Sequence, residues 1–189
     1  LGITGYERSG NVTINETEST DLKIDEIARL GLFVSFQSPP EIEGVSLYNF
    51  VNSSYQAVHG NKLSTFKLRK SILEAAKKVG LNESFLERST NQGFSGGERR
   101  KSEVLQMLVL EPQVAILDEV DSGLDIKSTA NIAGILREQA DSKKIGILVI
   151  SHSLEFIKKL KPDRIIELKD KKFEEISFEK LSEIPLDKK

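Results

Sequence analysis

Asp118 and Glu119 stand at the end of a short apolar run, Val-Ala-Ile-Leu at residues 114–117. An apolar strand that stops in carboxylates places them at the C-terminal edge of a sheet, where open α/β folds bind ligands. There Asp118 can hold Mg²⁺ through water, and Glu119 can polarise an attacking water. Upstream, Ser95-Gly96-Gly97-Glu98 sets a capping serine and two glycines ahead of a helix. A helix start exposes backbone N–H groups, and glycine lets an anion come close to them. Each stretch also has a plainer meaning. Two carboxylates at a strand end describe a solvated terminus, and Ser-Gly-Gly-Glu describes an ordinary capped helix.

The chain that must position these groups has 189 residues, enough for one domain with a core of its own. Its 27 basic and 29 acidic residues leave a net charge of −2, which gives no footprint for nucleic acid or a membrane surface. No apolar run has the length of a membrane span, so direct membrane insertion is not expected. Cysteine is absent, which excludes disulfides, thiolate metal ligands and a cysteine nucleophile. With no signal-peptide pattern, these features fit a soluble, cytoplasmic protein. The first residue is Leu1 rather than Met, which reads as a missing upstream segment.

Along the chain, NVTIN at 11–15 alternates as a short strand, and IDEIARLG at 24–31 reads as a helical turn or two stopped by Gly31. LFVSFQ at 32–37 has the composition of a buried strand, ended by Pro39-Pro40. Helices follow at 46–60 and 66–80, each closed by glycine. The second half alternates more clearly. A helix at 97–110, a strand at 114–117, a helix at 126–139 and a strand at 145–151 come in turn. The last of these is continuously apolar, as a strand buried on both faces of a sheet is. A short helix at 154–160, two strands meeting at Asp170-Lys171 and a polar helical tail complete the chain. Strand–helix alternation at this pitch predicts an α/β domain with a mostly parallel sheet.

Taken together, the motifs resemble the ATP-binding cassette (ABC) ATPases, a branch of the P-loop NTPases. FSGGE is similar to the signature motif, VAILDE to Walker B, and DSGLD at 121–125 to the D-loop. Ser151-His152 after the apolar strand is similar to the switch histidine, and Gln37 after FVSF to the Q-loop glutamine. Within that family, LFVSFQSPPEIEGVSLYNFV, FSGGERRKSEVLQMLVLEP and AILDEVDSGLDI resemble the SufC-type ATPases of SUF iron–sulfur cluster assembly. The likeness runs from about residue 9 to about residue 167.

The resemblance implies a partial cassette with a helical subdomain: a nucleotide-binding core over 1–37 and 96–189, and the subdomain over 38–95. It implies ATP and Mg²⁺ as cofactors and a head-to-tail homodimer formed on ATP binding. Asp118 and Gln37 would serve the metal, partly through water. Glu119 would act as general base, with Gln37 and His152 as its catalytic companions. Ser95, Gly96, Gly97 and Glu98 would meet the opposite subunit's nucleotide, and Ser122, Gly123 and Asp125 would link the two sites. SufB/SufD-type scaffold proteins are the implied partners. Tyr48 and Phe50, two apart on the predicted helix after Pro39-Pro40, cannot share one narrow face, so one of them is expected to point outward and dock a scaffold.

One family element is missing. No glycine in the chain is followed by lysine, so the phosphate loop G-x-x-x-x-G-K-[ST] is absent. The chain therefore reads as N-terminally shortened, and by itself is expected to hydrolyse ATP barely or not at all. Three other readings stay open: the nucleotide-binding subunit of an ABC transporter, a chromosome-maintenance ATPase head, and a non-catalytic scaffold that lost its phosphate loop. Arg99, Arg100 and Lys101 are either solvated or pair with a phosphate or with Glu119.

Overall fold

The computed structural model describes residues 10–14 and 16–181. Its centre is a parallel three-stranded sheet in the order β3 (Leu32–Val34), β6 (Val114–Asp118), β7 (Gly146–Ile150). Val34 pairs with Ile116, and Asp118 with Ile150, so the three strands release the chain at one common edge. The remaining strands form antiparallel pairs: β1 (Thr13–Ile14) with β2 (Thr17–Glu18), β4 (Ile42–Ser46) with β5 (Ser89–Thr90), and β8 (Ile165–Lys169) with β9 (Lys172–Ile176). The last pair turns at Asp170 and Lys171, both at positive φ, as a two-residue hairpin matched to strand twist requires.

Helices α1 (Ile24–Arg29), α2 (Leu47–His59), α3 (Thr65–Val79), α4 (Gly96–Leu110), α5 (Ile126–Lys143), α6 (Leu154–Leu160) and α7 (Phe178–Leu181) surround these strands. Their ends are written in the sequence. Ser46, Ser64, Ser95, Asp125 and Ser153 each turn a side-chain oxygen onto an N–H of the following turn. Gly80 ends α3 in the left-handed region. α4 is the hub: α2 and α3 pack on it, and Val104, Leu105 and Met107 are fully buried. One continuous core runs from Leu47 and Ile72 through α4 to Leu117, Leu136 and Phe156.

Several expectations change. The predicted strand at 32–37 stops at Val34, because Ser35 makes the last ladder bond, to the Ile116 carbonyl, before the chain turns toward the prolines. The strand expected at 11–15 is only Thr13–Ile14, and Asn15 lies outside the described residues, as do 1–9 and the tail from 182. The pairing of β4 with β5 is new, and α5 runs on to Lys143 with Arg137 paired to Asp141 one turn further along. The β7 strand is not buried on both faces. Ile147 and Val149 pack toward the core, whereas Leu148 and Ile150 are 52% and 47% exposed. Alternation sends these two to the opposite face of the sheet, which the described residues leave open.

Candidate active site

Parallel pairing brings the ends of β3, β6 and β7 side by side, and with them Ser35, Asp118-Glu119 and Ser151-His152. The Ser35 hydroxyl oxygen accepts the Asp118 N–H at 3.1 Å, tying the first strand end to the second. Glu119 then turns out of the strand at φ +49, its N–H donating to the Ile150 carbonyl at 2.9 Å. That turn aims its carboxylate at His152, with Oε1 3.4 Å from Nε2. The histidine is 80% exposed and the glutamate 22% exposed, so the pair sits at a surface with one side open to a ligand.

Asp121 is a site residue that the motif reading passed over. Ser151 Oγ donates to its Oδ2 at 2.9 Å, joining the loop after β6 to the loop after β7. Its other oxygen is buried with no hydrogen-bond partner. Burial pushes this carboxyl up from its ordinary value, with neighbouring Glu119 adding to the rise. The available signal was its place at the head of DSGLD, one residue before the part read as functional.

The Ser-Gly-Gly-Glu turn sits against the same loop from the other side. A Cβ on Gly97 would lie 2.8 Å from the Gly123 carbonyl oxygen, so the two backbones touch. Gly123 itself is at φ +74. A Cβ on Gly96, by contrast, would meet nothing within 4 Å, so the start of α4 has room beside it. Glu98 turns back to accept the Ser95 N–H at 2.7 Å, closing a capping box. This bond holds its carboxyl below the ordinary carboxylate range. Asp125 is likewise engaged locally, accepting Ser128 N–H and Oγ at 2.8 Å each as the cap of α5. Ser122 is exposed, and its N–H closes the turn onto the Glu119 carbonyl at 2.9 Å.

Arginines 99 and 100 approach neither Glu119 nor the open side. Arg99 reaches Glu41 at 2.6 Å and the Phe94 carbonyl at 3.1 Å. Arg100 pairs with Glu103 at 2.8 Å and donates to the carbonyls of Phe36 and Gln37, each at 2.8 Å. The expectation of a bond to Glu119 is therefore corrected: α4 crosses beneath the loop after β3, and its buried face meets that loop first. Gln37 keeps its side chain exposed, with no side-chain hydrogen bond among the described residues.

The donor set suits Mg²⁺. Asp118 and Gln37 offer hard oxygens, and no other described side chain engages the Asp118 carboxylate in a hydrogen bond. Among the described residues no group of three or more His, Cys, Asp or Glu could form a metal cage. For the β- and γ-phosphates themselves the sequence supplies no Gly-Lys loop.

Comparison with known proteins gives this geometry a context. Residues 3–122 match the sequence model of the ABC transporter family. A probable ABC transporter ATP-binding protein of Streptococcus pyogenes serotype M3 is 35% identical over 173 residues, covering 90% of this chain and 67% of its own length. The probable ATP-dependent transporter slr0075 of Synechocystis is 38% identical over 178 residues, covering 90% and 69%. The probable ATP-dependent transporter ycf16 of Antithamnion is 35% identical over 164 residues, covering 83% and 64%. The chain thus spans about two thirds of the length of these relatives. Its fold superposes on a dimeric, post-hydrolysis structure of the ATP-binding cassette MJ0796 bound to ADP and Pi, with a TM-score of 0.78 at 24% identity over 90% of this chain and 74% of that one. Shared motifs, matching fold and relatives above one third identical lead to one assignment: the chain belongs to the ABC transporter family, as an ATPase domain of the ATP-binding cassette type.

Proposed function

We propose that this chain carries the signature, Walker B and switch-histidine groups of a SufC-type ATPase, which closes as a head-to-tail homodimer on ATP and Mg²⁺ and drives a SufB/SufD-type scaffold in the cytoplasm. The observation that carries the hydrolytic half is the common strand edge where Glu119 faces His152 at 3.4 Å, next to Asp118 and Ser151. The SufC half rests on the PPEIEGV and DSGLDI stretches.

In this reading Glu119 would take a proton from the attacking water or orient that water, and His152 would contact the terminal phosphate. Asp118 and the Gln37 amide oxygen would hold the metal, which when bound would neutralise phosphate charge. Ser95, Gly96 and Gly97 offer a hydroxyl and N–H groups to the neighbour's nucleotide from the start of α4. Asp125 and Glu98 act one step back, as caps that fix the turns carrying Ser122, Gly123 and Ser95. Residues 38–95 are the arm that carries α2 and α3 against the partner.

A second reading is favoured by the relatives' names: a nucleotide-binding subunit of a membrane transporter. Phosphate release by the product of the complete gene tests the hydrolytic half. Affinity capture from the native cell separates the partners, since SufB/SufD-type proteins support the first reading and a membrane permease supports the second. No helix among the described residues is long and apolar enough to cross a membrane, so a transporter would have to supply its span from another segment or chain.

A further inference from the structure

The loop at residues 36–41, which follows the last ladder bond at Ser35, has neither ladder nor helix of its own, yet it is firmly held. Ser35 holds Asp118 N–H at 3.1 Å, and the Pro40 carbonyl accepts from Asn91 at 3.0 Å. Between them lies a tighter device. Glu103 Oε1 accepts the Phe36 N–H at 3.1 Å, and the Arg100 fork donates to the carbonyls of Phe36 and Gln37 at 2.8 Å each. Arg100 and Glu103 are themselves paired at 2.8 Å with side chains 7% and 5% exposed.

Those bonds fall on three successive peptide groups. Phe36 N–H belongs to the unit before Phe36, its carbonyl to the unit between Phe36 and Gln37, and the Gln37 carbonyl to the unit after. Peptide units are rigid planes joined only at Cα. Fixing the two planes that flank the Gln37 Cα sets its φ and ψ, and so the direction in which its Cβ leaves the chain. A buried ion pair is a poor way to gain stability, since well-packed apolar side chains do as well or better. The Arg100 guanidinium, planar and with five N–H donors, is well suited to holding two carbonyls and a carboxylate at once.

We propose that Arg100 and Glu103 are positioning residues for Gln37: they fix the aim of its side chain and couple it to the Ser95–Gly97 turn, which opens the same helix. The proposal rests on the hydrolytic reading above. On that reading Gln37 serves the chain's own nucleotide and the turn serves the neighbour's. One rigid helix then reports the seating of one nucleotide to the groups that act on the other.

The test uses the product of the complete gene. The Arg100→Met/Glu103→Leu variant removes the pair while keeping apolar bulk. Its kcat for ATP should fall roughly tenfold with KM within about twofold, because aim is lost and nucleotide binding is not. Gln37→Ala should give a loss of similar size, and adding it to the double variant should cost no more than about a further twofold. Arg100→Lys keeps the charge facing Glu103 but cannot span both carbonyls, so it should show the kcat loss at an unchanged melting temperature. This variant decides the matter if the double variant fails to fold. Losses that multiply to about a hundredfold in the triple variant, or an unchanged kcat in Arg100→Lys, would overturn the positioning role. Absence of hydrolysis by the unaltered protein would instead remove the hydrolytic reading, and the proposal with it.

Discussion

Gly97 and Gly123 stand backbone to backbone: the carbonyl oxygen of Gly123 occupies space that a side chain on Gly97 would need, 2.8 Å from where its Cβ would sit. Two turns that carry different motifs are therefore one packed unit within a single chain. The helix start is locked to the loop that follows Glu119, and neither can shift alone.

Gly97→Ala should accordingly be costly out of proportion to its size. The obstacle is backbone rather than a flexible side-chain tip, so one turn must move. Overpacking of this kind costs about 1–3 kcal/mol. Thermal unfolding should show a loss of several degrees, while Gly96→Ala, whose Cβ position is open, should lose far less. Equal losses would mean that the contact is not held in solution.

Glu119→Gln should leave ATP binding in place and stall hydrolysis in the product of the complete gene. The amide keeps the size and hydrogen bonding of the carboxylate but loses the base, and general-base contributions run to about 10²–10⁴-fold. Size exclusion with ATP should show an accumulated dimer, with phosphate release down by at least two orders of magnitude on that scale. Turnover at the wild-type rate would take Glu119 out of the reaction.

Acid should loosen the two helix starts that flank the site. The Ser128 N–H holds the Asp125 carboxyl below its ordinary value, and the Ser95 N–H does the same for Glu98. A carboxyl depressed in the folded state adds stability that is present above its unfolded value. That stability is lost as pH falls through the depressed folded value. Glu103 and Asp121 work in the opposite sense. Burial raises both, so their contribution weakens as pH climbs from the unfolded value toward the raised one. Asp125→Asn and Glu98→Gln should thus flatten the acid limb of a melting-temperature profile without moving its slope above pH 5 or so. An acid limb as steep as the wild type's would show that these caps hold no charge-dependent stability.

Tyr48 and Phe50 separate on the surface of α2. Tyr48 is half-buried, leans on the core and lies 5.8 Å beneath the Arg69 guanidinium. Phe50 is half-buried too, but does not join that cluster. Of the two, Phe50 is the better candidate for scaffold docking. Phe50→Ala should lower capture of a SufB/SufD-type partner by roughly tenfold or more, the scale of an aromatic hot spot, with melting unchanged. Tyr48→Ala should cost stability first. Full capture by Phe50→Ala would assign both rings to the fold.

Much of the architecture could be read before any coordinates, for a local reason. Ser64 and Gly80 bracket α3, and Ser95 with Glu98 opens α4, because caps act within a few residues of themselves. The common edge of β3, β6 and β7 followed from strand–helix alternation. What stayed hidden depends on partners distant in sequence. β4 meets β5 across more than forty residues, and only two short registers hold it. Arg100 and Glu103 look from sequence like two more charges on a polar helix start. Only the packing of α4 beneath residues 36 and 37 reveals them as buried. Asp121 was overlooked because its partner, Ser151, sits thirty residues away.

The open face of the central sheet leaves a calorimetric signature. Leu148 and Ile150, together with Ile166, Leu168 and Phe173 of the hairpin, are already wet in the folded chain. Surface that is hydrated before unfolding adds nothing to what unfolding newly hydrates. Heat capacity increments and denaturant slopes both scale with that newly hydrated area. Denaturation of the isolated chain should therefore be gentler than its length suggests, with a heat capacity change below the usual ~12–15 cal/mol/K per residue. A second component that settles on this face would sharpen the transition and raise the increment, whether or not it touched the nucleotide edge.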